Sequence, residues 1–289
     1  MYADDITRYA ELIVSMVNIE KGRNLQVRGE PVHWELINEI AAAAYRRGAR
    51  YVAAQSNHPG LYKARVEHSA EEYLDYVPSH IKAMNDIMIE EKWALVAIKS
   101  PEDPDYLSDL DVERNARISK QMEKAGMRLR RQLQADRFPW LVVASPTEKW
   151  AEKVLAGPLG NGGTAASGAG NPGSARSAGR AAANSGPRAL DDLWDIMKPI
   201  LRLDEEDPVA AWREQSERLK WRSAVLDELS VEWLHFEGPG TDLWVAIPER
   251  ALWVGGPART PEGTEFLPNL PTEEVFTTPD YRYTTGHVA

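Results

Sequence analysis

Positions 93–98 read Trp-Ala-Leu-Val-Ala-Ile, with no polar residue among them. A run this short and this apolar is a strand covered on both faces, which implies a parallel sheet between helical layers. The flanking sequence repeats the theme. Ile6, Tyr9, Leu12, Ile13, Met16 and Val17 recur at helical spacing, and Gly22 ends the pattern. Residues 25–28 are a strand candidate. Residues 31–47 are a helix, with Pro31 in its first turn and Gly48 past its end. Residues 50–54 are a second strand. Helices are predicted over 60–67, 69–76 and 78–92, with Ser69 and Glu72 at capping-box spacing. After 93–98 come a long charged helix over 111–134, a strand over 140–144 and a helix over 147–155. Helices alternating with strands in this way predict a Rossmann-like parallel α/β sheet.

The composition then changes. Residues 157–187 hold nine Gly and eight Ala, no Asp or Glu, and only Arg176 and Arg180 as charges. Such a stretch reads as a flexible linker or insertion. Order is predicted to return near Leu190, followed by a helix over 207–229 with Asp207 as N-cap and Pro208 at its first position. Beyond it the pattern becomes β-like. Residues 231–237 and 242–247 flank Gly238-Pro-Gly-Thr241 as a hairpin with a four-residue connection. The expected division is an N-terminal α/β domain over 1–229 and the start of a β-rich, α+β catalytic domain over 230–289.

Several chemistries are excluded. The chain has no cysteine, so it has no disulfide, thiolate metal site or Cys nucleophile. A formal charge of −10 argues against a general nucleic-acid binder. The apolar runs are far shorter than the ~20 residues of a membrane span, and the first residues form no secretory signal. Both features fit a cytoplasmic protein. No phosphate-cradling Gly motif follows the first strand, and no Gly-x-Ser-x-Gly elbow is present.

The histidines (His33, His58, His68, His80, His235 and His287) form no pair with metal-ligand spacing on one helix. His58 reads as a polar turn residue and His235 as a structural or exposed one. Glu205, Glu206 and Asp207 read as the acidic start of a helix, where carboxylates meet a favourable dipole. Trp194, Trp212 and Trp221 fall on helix faces and are expected in the core or an interface. Near the C-terminal end, Pro271 and Pro279 bracket the adjacent carboxylates Glu273 and Glu274. Neighbouring strand residues face opposite sides, so only one of the two can enter a given pocket. A carboxylate on a rigid strand is a good oxygen ligand for a divalent metal, and equally an ordinary surface residue.

The segment Asn269-Leu-Pro-Thr-Glu-Glu-Val-Phe-Thr-Thr-Pro279 resembles the signature of the thermophilic-type metallo-aminopeptidases, the aminopeptidase T, aminopeptidase S and PepS family. Further segments agree in order: Tyr45 to Arg50, Trp150 to Val154, Asp204 to Trp212, Phe236 to Leu243 and Trp253 to Gly256. The resemblance implies a homodimeric exopeptidase that releases N-terminal amino acids from peptides with two divalent metal ions (Co, Zn, Mg or Mn). It assigns Glu274 as one metal ligand, with Glu273 facing away. The family's second Glu, two His and Asp ligands find no counterpart here, and His287 does not align with them. The chain is therefore expected to be an incomplete form of the enzyme. The alternative is a non-catalytic peptide-binding or regulatory protein on the same scaffold. The Gly/Ala-rich stretch departs from the family as well, either as a natural insertion or as a local reading-frame error.

Overall fold

A computed structural model of the chain describes residues 2–156 and 187–288. The linker expectation for 157–187 lies outside the described residues except at Pro187, where a helix begins.

The N-terminal region alternates as its periodicity predicts. Helix α1 (Tyr2–Met16) leads to β1 (Asn24–Gly29), α2 (Trp34–Arg46), β2 (Tyr51–Ser56), α3 (Pro59–His68), α4 (Ser79–Glu90) and β3 (Ala94–Ile98). Then follow α5 (Val112–Gln134), β4 (Trp140–Val143), α6 (Glu148–Leu155), α7 (Pro187–Ile200) and α8 (Pro208–Glu228). Gly22 and Gly48 adopt φ of +83° and +90°, the left-handed backbone that favours glycine at a turn or helix end. Asp111 and Asp207 cap α5 and α8, accepting from Arg114 N (2.8 Å) and Ala210 N (3.0 Å).

Two local expectations fail. Residues 69–76 form no α-helix: Ser69 ends α3 in an extended conformation, and only a 3-10 turn, Glu71–Tyr73, follows. The capping-box spacing is present, but the helical nucleus is not, because a short segment gains too few bonds to offset its ordering. The hairpin is also tighter than predicted. Strands β5 (Trp233–Gly238) and β6 (Thr241–Ala246) pair out to Gly238 and Thr241, which leaves a two-residue connection with Gly240 at φ +75°.

The remaining strands are short: β7 (Val254–Gly255), β8 (Ala258–Arg259), β9 (Glu265–Phe266), β10 (Asn269–Leu270), β11 (Val275–Phe276) and β12 (Thr285–Val288). The main sheet has the order β10-β4-β3-β1-β2, and every neighbouring pair in it is parallel. Its fifth strand thus comes from the C-terminal region. An antiparallel sheet, β12-β6-β5, and the two pairs β11-β7 and β8-β9 complete the β structure.

Strand alternation divides the core. Leu25, Val27, Val96, Leu141 and Leu270 face one way, toward α1, α2 and the buried Trp194 and Trp212. Leu95 faces the other way, toward Met88 of α4, Leu129 of α5 and Phe138. At β3 both faces of the sheet are covered, as the apolar run 93–98 requires, whereas the edge strand β2 is largely exposed. Tyr9 meets Trp194 edge to face at 5.9 Å. Trp221, expected in the core or an interface, lies outside the core and is 66% exposed.

Candidate functional site

In a parallel α/β sheet, ligands bind outside the carboxyl ends of the strands, where successive connections leave to opposite faces. Here that switch point lies between β1 and β3, since α2 packs on one face and α5 on the other. The crevice is bridged by side chains. Glu102 N donates to Glu30 Oε2 (2.8 Å), and His33 Nε2 lies 3.2 Å from Ser100 Oγ. Ser100 Oγ also accepts from Ser145 N at 2.9 Å. Glu30 N donates to His33 Nδ1 at 3.1 Å, which fixes the neutral tautomer with its proton on Nε2. His33 therefore donates to Ser100 and cannot serve as its base, so this Ser–His contact is a buried brace. Burial lowers the His33 pKa to about 4.

The carboxyl edge is open further along, past β3, β4 and β10. A pocket of about 580 Å³ lies there, lined by Lys99, Val143, Ala144, Asn269, Pro271 and Glu274 among others. Strand β10 reaches it by local chemistry. Leu270 is buried and pairs in register with Val143, while Val142 N donates to Pro268 O at 2.8 Å. Pro271 has no N–H to extend the ladder, so the pairing ends and the chain departs with Thr272, Glu273 and Glu274.

Glu273 and Glu274 lie between β10 and β11, in no strand, and both line this pocket, so the expectation that strand alternation admits only one of them fails; what distinguishes them is their contacts. Glu273 Oε1 accepts from Arg202 Nη2 at 2.7 Å, and its Oε2 accepts from Gln215 Nε2. Arg202 is itself placed by the corner between α7 and α8. It has φ +57°, and its guanidinium lies 5.0 Å from the ring centroid of Trp212, whose Nε1 donates to Leu201 O. Glu274 has no hydrogen bond or ion pair among the described residues. Its position is set by the close approach of two strands: Val275 pairs with Gly255, where an added Cβ would lie 2.9 Å from Val275 Cγ2 and 3.0 Å from Glu274 O. The sequence offered no sign of the Arg202 and Gln215 contacts to Glu273. It did hold a sign of Lys99, the first polar residue after the apolar run 93–98.

The other candidates are structural. Asp207 is a helix cap, and Arg8 donates to the carbonyls of Glu205 and Glu206. His58 stands at the start of α3 without capping it. His235 stacks on Trp244 with ring centroids 4.0 Å apart, and its Nε2 lies 2.9 Å from Asp242 Oδ1. Among the described residues no group of three or more His, Cys, Asp or Glu side chains could hold a metal ion. Glu274 alone does not fit the metal centre that the resemblance implies. No helix among the described residues is long and apolar enough to cross a membrane.

The profile of the thermophilic metalloprotease (M29) family matches residues 2–164 and 174–289, breaking only inside the Gly/Ala-rich stretch. Aminopeptidase 2 of Geobacillus stearothermophilus is 33% identical over 277 residues, covering 95% of this chain and 60% of the relative. Aminopeptidase PepS of Streptococcus thermophilus is 29% identical over 289 residues, covering 100% of this chain and 64% of the relative. The solved structure of wild-type AmpT from Thermus thermophilus aligns with TM-score 0.80 and 27% identity, covering 99% of this chain and 64% of that one. The chain thus spans between 60% and 64% of the length of these relatives.

Proposed function

This chain belongs to the thermophilic metalloprotease (M29) family, and from that premise we propose that it acts as part of a metal-dependent aminopeptidase releasing N-terminal amino acids from peptides. Family membership implies divalent metal ions as cofactors. The finer reading is two ions (Co, Zn, Mg or Mn), with Glu274 as one ligand. One observation carries the choice of residue: Glu273 is engaged by Arg202 and Gln215, while Glu274 lines the sheet-edge pocket with no side-chain partner among the described residues. A single carboxylate cannot hold two ions, so in this reading the other ligands come from outside the described residues.

The same reading makes residues 1–229 the domain that walls the peptide pocket and 230–289 the ligand-bearing portion of the catalytic domain. It takes the enzyme as a cytoplasmic homodimer with peptide substrates and without nucleic-acid or membrane partners. The −10 charge and the lack of cysteine support that setting.

The test is hydrolysis of leucine p-nitroanilide with added cobalt, zinc or magnesium, using EDTA as control. The 289-residue chain is expected to be inactive alone. It should gain metal-dependent turnover when joined to the part of its relatives that it does not span. Turnover by the chain alone would contradict the external supply of ligands. No turnover in the joined protein would contradict the aminopeptidase reading.

A further inference from the structure

Arg28 is a largely buried cation without a counter-ion. It stands near the carboxyl end of β1, in register with Ala97 of β3 and Gln55 of β2. Its Nε donates to Gln26 Oε1 at 2.5 Å, and its Nη2 lies 3.6 Å from Met88 Sδ. The carboxamide is neutral and the thioether is a weak acceptor. No carboxylate forms an ion pair with Arg28 among the described residues. Burial lowers its pKa, and no neighbouring charge offsets this. Charges taken out of water are ordinarily paired, so an anion is missing from this arrangement.

Gln26 adds a second unmet donor. Its side chain belongs to a residue only 2% exposed. Accepting from Arg28 fixes the carboxamide with Oε1 toward the guanidinium and leaves Nε2 to donate elsewhere. Neither Gln26 Nε2 nor Arg28 Nη1 has an acceptor among the described residues, yet neither is sealed from solvent. Both side chains share a sheet face with Leu95, the face that α4 and α5 cover. The apolar cluster on that face is built around Leu95, Met88 and Leu129. A second cluster, with Val66 of α3 and Ile118 of α5, takes no residue from the sheet. The carboxyl half of the face is thus left to Arg28, Gln55 and the small Ala97, and it opens at the exposed edge strand β2. Parallel α/β sheets take their ligands at this end.

We infer that Arg28 and Gln26 form a binding site for a small oxyanion, a carboxylate or a phosphate group, on the α4 side of β1. The guanidinium offers its remaining donors in a planar fork that matches either anion, and the Gln26 amide adds a neutral one. The site uses neither Glu274 nor a metal ion, so it stands or falls separately from the aminopeptidase reading.

The 289-residue chain, labelled with nitrogen-15, is titrated with sodium phosphate and with sodium acetate, against sodium chloride at matched ionic strength. The signals followed are the Arg28 Nε–H, the Gln26 carboxamide and the Ala97 amide. Saturable shifts are expected with at least one of the two oxyanions. Tighter binding of phosphate identifies a phosphoryl ligand, and tighter binding of acetate a carboxylate. Arg28→Met should weaken binding at least about tenfold, read at Gln26 and Ala97. Its fold should survive, because an apolar side chain replaces an unpaired charge beside Met88. Gln26→Glu tests the same site with Arg28 in place: it supplies the anion from within the chain and should abolish binding. Shifts no different from those of chloride, or binding that survives either substitution, would overturn the inference.

Discussion

Arg202 Nη2 lies 2.7 Å from Glu273 Oε1, and this contact ties the corner between α7 and α8 to the segment that leaves the parallel sheet. It separates two carboxylates that are adjacent in sequence. Glu273 should therefore matter for stability and Glu274 should not. Glu273→Gln is expected to cost about 0.5–1 kcal/mol, because it weakens a partly exposed ion pair. Glu274→Gln should fall within about 0.5 kcal/mol of wild type, since no partner among the described residues is lost. Urea denaturation of both variants checks this; a larger cost at Glu274 would contradict it.

Gly255 should tolerate no side chain. Gly255→Ala places a Cβ against Val275 Cγ2 and Glu274 O, and overpacking of this kind costs roughly 1–3 kcal/mol. The same denaturation measurement reads it. A neutral Gly255→Ala would mean that β7 and β11 are free to separate, and that the position of Glu274 is not set by their contact.

These two positions show how much the sequence revealed. The strand at 93–98 was legible because every position obeys one rule, burial on both faces. The caps at Asp111 and Asp207 were legible because capping is local. Strand β10 was not, since two residues carry no periodicity and their partner, β4, is more than a hundred positions away. Proximity of Glu273 to Arg202 and Gln215 is likewise a product of the tertiary fold. The pair Glu273 and Glu274 was identified from its motif, while the contacts that distinguish its members required the packing of α8.

Acid should weaken the fold through His33. Its pKa is about 4 in the folded protein, against an unfolded value near 6.5. Between those values the unfolded chain binds more protons, so stability is complete above about pH 6.5 and declines as pH falls toward 4. The full effect is on the order of 3 kcal/mol. Denaturation at pH 7.5 and pH 4.5 should show a smaller difference in His33→Gln than in wild type. Equal differences would contradict the prediction.

The antiparallel sheet β12-β6-β5 should promote self-association of the 289-residue chain. Trp233 and Trp244 are exposed on one face and Phe236 on the other, and β5 and β12 are edge strands among the described residues. Sedimentation velocity should show concentration-dependent association, reduced by Phe236→Lys. A monodisperse monomer at all concentrations would contradict it.

We propose that Glu274, rather than Glu273, is the carboxylate this chain brings to a metal-dependent peptidase site. The direct measurement is metal-dependent hydrolysis of leucine p-nitroanilide by the joined protein carrying Glu273→Gln or Glu274→Gln. A loss on the order of a hundredfold or more is expected for Glu274→Gln, and only a few-fold change for Glu273→Gln. Retained activity in Glu274→Gln, or a collapse confined to Glu273→Gln, would contradict it.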